Sequence, residues 1–246
     1  MQKKPRKLHG GDIYRHPDVI DFSLNTNPLG TPESVKRAVQ ESVAKIEHYP
    51  DVRCEALREA ISRFEQVNME EILCGNGAAE LFFAAVQAVW PQKALVIAPS
   101  FSEYEEALRS VGAEVEYYYL CEEDNFQIRG DYVDKLSEEI DMIFLCNPNN
   151  PTGQTIDRDM LIKILDRCKK QNIVVILDEC FLEFLDEPNR YEMSDLRGEY
   201  PNLLIIKAFT KIFSMPGLRL GYAISSNQDI LEEMSWKLQQ WNEIGR

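Results

Sequence analysis

Apolar positions along the chain fall into two alternating patterns. Runs of consecutive apolar residues recur at 94–98 (ALVIA), 142–146 (MIFLC), 173–177 (IVVIL) and 203–206 (LLII). Between them lie stretches in which apolar residues return every third or fourth position, at 78–89, 102–111, 131–139 and 157–171. The first pattern predicts buried strands and the second amphipathic helices. Weaker strands are predicted at 71–74, 114–120 and 219–223, and a last helix from Ile230 onward. Upstream, a helix starts at Thr31 with Pro32 at its first helical position. Its apolar face is Val35, Ala38, Val39, Val43 and Ile46. A second helix follows Asp51 and carries Ala56, Leu57, Ala60, Ile61 and Phe64. All-apolar strands alternating with helices predict an α/β fold: a three-layer α/β/α arrangement around a mostly parallel sheet covered on both faces. The first 30 residues, rich in Gly, Pro, Asn and basic side chains, read as an irregular arm.

Composition narrows the class. The chain has 246 residues, 44% hydrophobic and 28% charged, which is ordinary for a folded protein. It carries 27 Lys and Arg against 41 Asp and Glu, a formal charge of −14. That balance argues against unspecific nucleic-acid binding. No run approaches ~20 apolar residues, so no membrane span is expected. The basic start leads into no apolar segment and does not read as a secretory signal. None of the six cysteines forms a CxxC pair, and several sit in apolar runs. They read as buried reduced thiols, which fits the cytoplasm. His9, His16 and His48 are scattered, so no metal site is expected.

Ligands of parallel sheets bind beyond the carboxyl ends of the strands. After the first strand comes Gly75-Asn76-Gly77-Ala78-Ala79-Glu80. Two glycines and an immediate helix offer free N–H groups to an anion. The run misses the dinucleotide GxGxxG because Glu80 replaces the third glycine, and an ordinary strand–helix turn is the alternative. After ALVIA, Phe101 stands where a ring could cover a flat ligand or simply join the core. After MIFLC, Asn147-Pro148-Asn149-Asn150-Pro151-Thr152-Gly153 is a stiffened loop rich in amides. After IVVIL, Asp178 is costly to bury without a partner. Beyond LLII, Lys211 sits in an apolar setting that lowers its pKa, and Arg219 follows eight residues later. An anion-binding turn, a ring, an amide, a buried acid, a lysine and an arginine form the set that holds pyridoxal 5′-phosphate (PLP).

In these motifs the chain resembles the fold-type I PLP-dependent enzymes of aminotransferase class I/II. The signatures are NPNNPTG, the Asp of ILDE and TKxxxxPGLRLGY. The resemblance implies that Lys211 is catalytic and carries the cofactor covalently. It implies that Asp178 pairs with the pyridine nitrogen, Asn150 bonds the phenolic oxygen and Phe101 stacks on the ring. The turn at Gly77, with the N–H groups of Ala78 and Ala79, Thr210 and Arg219, would hold the phosphate. Tyr49 resembles a tyrosine that reaches the neighbouring subunit's cofactor, which implies a homodimer with shared active sites.

The arm is similar to that of threonine-phosphate decarboxylases of cobalamin biosynthesis, through His9-Gly10-Gly11-Asp12 and the stretch from Asp21 to Gly30. Histidinol-phosphate aminotransferases share the NxNPxG element and are the alternative. By that similarity His9 and Asn25 contact a phosphorylated amino acid. Phe181 stands where many aminotransferases have Tyr, as in the decarboxylase branch. Ala208 stands where Ser or Thr is usual, which removes a phosphate hydrogen bond of ~1 kcal/mol. Loss of the α-proton leads to transamination and loss of the carboxylate to decarboxylation. The arginine that orients the substrate carboxylate belongs, by the resemblance, to a C-terminal part beyond the residues present. The implied organisation is an arm at 1–30, a PLP-binding large domain at 31–226, and the start of a truncated C-terminal segment at 227–246. A PLP-binding remnant with impaired turnover is therefore a further reading.

Overall fold

The computed structural model describes residues 10–239. The arm leads into α1 (Glu33–Ser42) and α2 (Glu55–Glu65). Strands and helices then alternate: β1 (Ile72–Gly75), α3 (Ala78–Val89), β2 (Lys93–Ala98), α4 (Glu103–Ser110) and β3 (Glu114–Tyr119). β4 (Met142–Cys146), α5 (Arg158–Gln171) and β5 (Val174–Asp178) follow. The chain continues through β6 (Leu203–Ala208), the short α6 (Phe209–Ile212), β7 (Gly221–Ile224) and α7 (Gln228–Lys237). The strands form one sheet in the order β1-β7-β6-β5-β4-β2-β3. β7 runs antiparallel to both β1 and β6, while the pairs from β6 to β3 are parallel. The expected mostly parallel α/β sheet is what forms.

Alternation along the strands builds two cores. In β4, Ile143 and Leu145 join one cluster, while Met142, Phe144 and Cys146 join the other. β5 and β6 split the same way. Ile61 of α2 and Leu161, Ile164, Leu165 and Cys168 of α5 cover the first face. α3, α4 and α7 cover the second, α7 through Ile230, Leu231 and Met234. Burial on both sides is why these strands have no polar alternation. Each such side chain contributes about 1.5–3 kcal/mol by leaving water. Among the described residues no helix is long and apolar enough to cross a membrane.

Two expectations are corrected. The helix expected at 131–139 is a 3-10 turn, Gly130–Lys135. This connection runs from edge strand β3 past β2 to β4. A 3-10 turn rises about 2.0 Å per residue against 1.5 Å for an α-helix, so it covers that distance better. It still buries Tyr132, and Leu136 directly after it is buried too. Pro32 is the N-cap of α1 rather than its first residue. The stripe on α1 is real but uncovered. No residue of α1 is buried, and Val39, Val43 and Ile46 are exposed.

The first core also contains a polar group. Lys207 of β6 is buried and reaches Glu65 of α2 at 3.0 Å and Glu192 at 3.1 Å. Glu183 lies 3.5 Å and Glu179 3.8 Å from its ammonium. The Tyr222 hydroxyl of β7 donates to Glu65. Glu179 is fully buried, and neither of its oxygens has a hydrogen-bond partner. Burial pushes its carboxyl up to about 8; Lys207 opposes the shift, whereas Glu192, Glu65 and Glu183 add to it. Folded Glu179 therefore keeps a proton that the unfolded chain releases in the ordinary carboxylate range. Folding stability then falls as pH rises from that range towards about 8. Urea unfolding across this window will show a shallower decline in Glu179→Gln than in the wild type. Glu183 and Asp178, also raised, account for slope that remains.

Candidate active site

The site grows from the last residue of β5. Asp178 ends a strand buried on both faces, so its carboxylate is 3% exposed. Its Oδ1 accepts from the Cys180 N–H at 2.9 Å, and its Oδ2 from the Tyr104 hydroxyl at 2.5 Å. Burial raises the Asp178 pKa; the bonds from Cys180 and Tyr104 and the charge of Lys211 pull against that rise. Tyr104 is fixed by aromatic packing. It stacks on Phe144 at 4.8 Å and meets Phe82 and Phe101 edge-on at 5.0 and 5.7 Å. Burial first, and then Asp178, holds the phenol far above its ordinary pKa, so it acts as a donor.

Lys211 lies in α6, directly after β6. Burial lowers its pKa and Arg219 adds to that, while Cys180 and Asp178 oppose it. Its ammonium donates to Asn25 Oδ1 and stands 5.6 Å from the centre of the Phe181 ring. The arm grips the same loop. The Asn27 N–H donates to the Lys211 carbonyl at 2.9 Å, and its side-chain amide to the Ile212 carbonyl at 2.9 Å. The Thr31 hydroxyl donates to the Ser214 carbonyl at 2.5 Å.

The third corner is the N-terminus of α3. Gly77 is its N-cap with φ of 84°, and no side chain caps the first turn. A Cβ on Gly77 would stand 2.7 Å from Arg219 Nη2, and one on Gly221 of β7 would stand 2.9 Å from the Ala78 nitrogen. Both glycines are needed for this close approach. Arg219, itself left-handed at φ 52°, donates to the carbonyls of Asn76 at 3.3 Å and Pro216 at 3.2 Å. A positive helix end beside a guanidinium favours a bound anion.

These corners enclose one cavity of about 140 Å³. Ala78, Ala79, Phe101, Asn150, Asp178, Thr210, Lys211 and Arg219 line it, with Phe82, Cys180, Phe181 and Ala208. Gly77 abuts it through Arg219, and Asn25 reaches it through Lys211. Tyr49 is 79% exposed and is not part of the lining. His9 lies outside the described residues. Among the asparagines of the 147–153 loop, only Asn150 lines the cavity. Asn147 Oδ1 accepts from the Ile156 N–H at 2.8 Å, and the Asn149 amide donates to the Pro99 carbonyl and to Thr152. Sequence reasoning missed Tyr104, Asn27 and Thr31. The signal for Tyr104 was its place three residues after Phe101, one helical turn away. Asn27 and Thr31 act through loop carbonyls about 185 residues distant and left no local signal.

Tyr104→Phe keeps the aromatic packing but strips Asp178 Oδ2 of its donor. It should cost about 1–3 kcal/mol of stability, the penalty for an unsatisfied buried acceptor. Urea unfolding at neutral pH measures this, and a cost below about 0.5 kcal/mol would show that the bond contributes little.

The family profile described as aminotransferase class I and II matches residues 17–240. The chain is 38% identical over 242 residues to threonine-phosphate decarboxylase of Salmonella typhimurium, covering 95% of this chain and 66% of that protein. It is 37% identical over 231 residues to a histidinol-phosphate aminotransferase of Desulfitobacterium hafniense, covering 91% of this chain and 62% of that protein. The crystal structure of histidinol-phosphate aminotransferase from Clostridium acetobutylicum superposes with a TM-score of 0.84 at 33% identity, covering 92% of this chain and 66% of that one. The chain thus spans 62–66% of the length of these relatives. On this match, the chain belongs to the aminotransferase class I and II family.

Proposed function

We propose that the chain is the PLP-binding part of an enzyme acting on a phosphorylated amino acid, of the L-threonine O-3-phosphate decarboxylase type. The observation that carries this reading is the shared cavity: Asp178 and Lys211 line it together with Arg219 and the open end of α3. The residues fit the cofactor. A buried acid suits a pyridine nitrogen, and the glycine-lined cradle beside Arg219 suits a phosphate. PLP, when bound, supplies a sink for the electrons left on the substrate Cα as a bond to it breaks.

The chain's own groups do the rest. Asp178 would hold the proton of the ring nitrogen, its other contacts fixed by Tyr104 and Cys180. The Asn150 amide would donate to the phenolic oxygen, and Phe101 would cover a ring face. The N–H groups of Ala78 and Ala79, Thr210 and Arg219 would bind the phosphate. The lowered pKa of Lys211 keeps more of its amine uncharged than in an exposed lysine, ready to hold the cofactor's aldehyde. Displaced by substrate, the same amine would give or take a proton at Cα.

Phe181 beside Lys211 supports the decarboxylase type, while Asn25 at the Lys211 ammonium suits both readings. Histidinol-phosphate aminotransferase is the second reading, supported by 37% identity to such an enzyme. The arm at 1–30 and the large domain at 31–226 would together form the site, with His9 and Asn25 towards substrate. A second copy of the chain is the proposed partner. Val39 of α1, Val43 and Ile46 just after it, and Ile20 and Phe22 of the arm are exposed apolar side chains that such a partner would cover, and Tyr49 follows them in the sequence.

Incubation with PLP, borohydride reduction and peptide mapping test the cofactor assignment. Label is expected on Lys211 in the wild type and absent in Lys211→Ala; a wild type that takes no label defeats the assignment. With L-threonine O-3-phosphate as substrate, release of CO2 supports decarboxylation. Glutamate made from 2-oxoglutarate supports transamination instead. For the assembly, sedimentation should show a dimer in the wild type and monomer in Val43→Asp/Ile46→Asp.

A further inference from the structure

Side chains alternate faces along a strand. Asp178 and Ala208 face the cavity, so the residues beside them, Glu179 and Lys207, point to the opposite face of the sheet. Tyr222, three residues after Arg219, pairs with Lys207 in the ladder, just as Gly221 pairs with Ala208. Three strand ends that carry the cavity on one face thus carry Glu179, Lys207 and Tyr222 on the other. Lys207 and Tyr222 bond Glu65, from the last position of α2, in the buried cluster beneath the sheet, and Glu179 lies 3.8 Å from the Lys207 ammonium.

The balance of charge in that cluster is uneven. One ammonium faces carboxyl groups from four places: Glu65 on α2, Glu179 after β5, Glu183 in the following turn and Glu192 in the next loop. Without Lys207 the buried carboxyl groups of Glu65 and Glu179 would lose the ammonium that both face, while the part-exposed Glu183 and Glu192 could turn towards water. Glu65 and Glu179, held on α2 and directly after β5, could regain water by moving the segments on which they stand. One of those segments follows Asp178 at the end of β5, and Lys207 itself stands on β6, which leads into Lys211.

We propose that Lys207 is a positioning residue of the cavity: it draws Glu65, Glu179 and Glu192 together beneath the sheet and thereby fixes the strand ends that present Asp178 and Lys211 above it. Nothing in the chemistry of the cavity uses Lys207 directly. The readout on cofactor affinity rests on the PLP reading; the readout on the Lys211 amine does not.

The experiment compares wild type, Lys207→Met and Lys207→Arg. In protein without PLP, amines are labelled with acetic anhydride across a pH series and the Lys211 peptide is quantified by mass spectrometry. PLP affinity is measured by titration, and cooperativity by urea unfolding. In Lys207→Met the Lys211 titration is expected to move up towards that of an exposed lysine, with PLP binding at least tenfold weaker. Lys207→Arg, which keeps the charge, should recover most of both. A cooperatively folded Lys207→Met whose Lys211 titration and PLP affinity match the wild type would overturn the proposal. Should Lys207→Met not unfold cooperatively, Glu65→Gln decides, since it removes one charge and keeps groups able to bond Lys207 and Tyr222. Both readouts should move the same way by a smaller factor, and no change in a folded Glu65→Gln overturns the proposal. A wild type that takes up no PLP defeats the cofactor assignment alone, because the Lys211 titration still decides the positioning role.

Discussion

A carboxylate taken out of water at the end of a buried strand governs much of this structure. Asp178 sits where β5 is covered on both sides, so it cannot recover hydration. Its oxygens are supplied instead by a phenol and a backbone N–H. The phenol must be held at a fixed place, and three aromatic rings hold it. Those rings fill the second core between α3, α4 and the sheet. The packing of one layer is therefore organised around keeping an acid ready for a partner that carries a proton or a positive charge.

Much of this was legible along the chain, for a physical reason. Strands covered on both faces are apolar without interruption, so β2, β4, β5 and β6 announce themselves. Whatever polar residue follows them must lie at a strand end, and that is where Asp178, Asn150 and Lys211 are found. What stayed hidden depends on pairings far apart in sequence. The antiparallel direction of β7 is set by its partners and not by its four residues. The donor to Asp178 comes from 74 positions away. Glu179 and Lys207 read as ordinary charged residues until the strand register places both on the inner side. The stripe on α1 was legible, but periodicity says only that a face is apolar and does not say what covers it.

The sheet thus serves two purposes with one set of strand ends. The upper face offers an acid, an amine and an anion cradle, left open for a ligand. The lower face closes its charges on one another. The arm adds a third restraint, because Asn27 and Thr31 bind the carbonyls of the loop that carries Lys211. Lys211 is consequently held from the strand before it and from the arm beside it. That arrangement limits the positions its amine can take.

The pairing of β1 bears on how the chain is made. β1, the first of the seven described strands in chain order, has β7, the seventh, as its sheet neighbour; Ile72 lies opposite Ile224. The central strands pair with neighbours nearer in the chain, whereas β1 has no place in the sheet until β7, about 150 residues further on, has been made. The turn from Gly75 to Gly77 follows β1, and its close approach to Gly221 and Arg219 needs β7 in place. The anion cradle therefore closes only with β7 in the sheet, and β7 follows in the chain the strands that present Asp178 and Lys211.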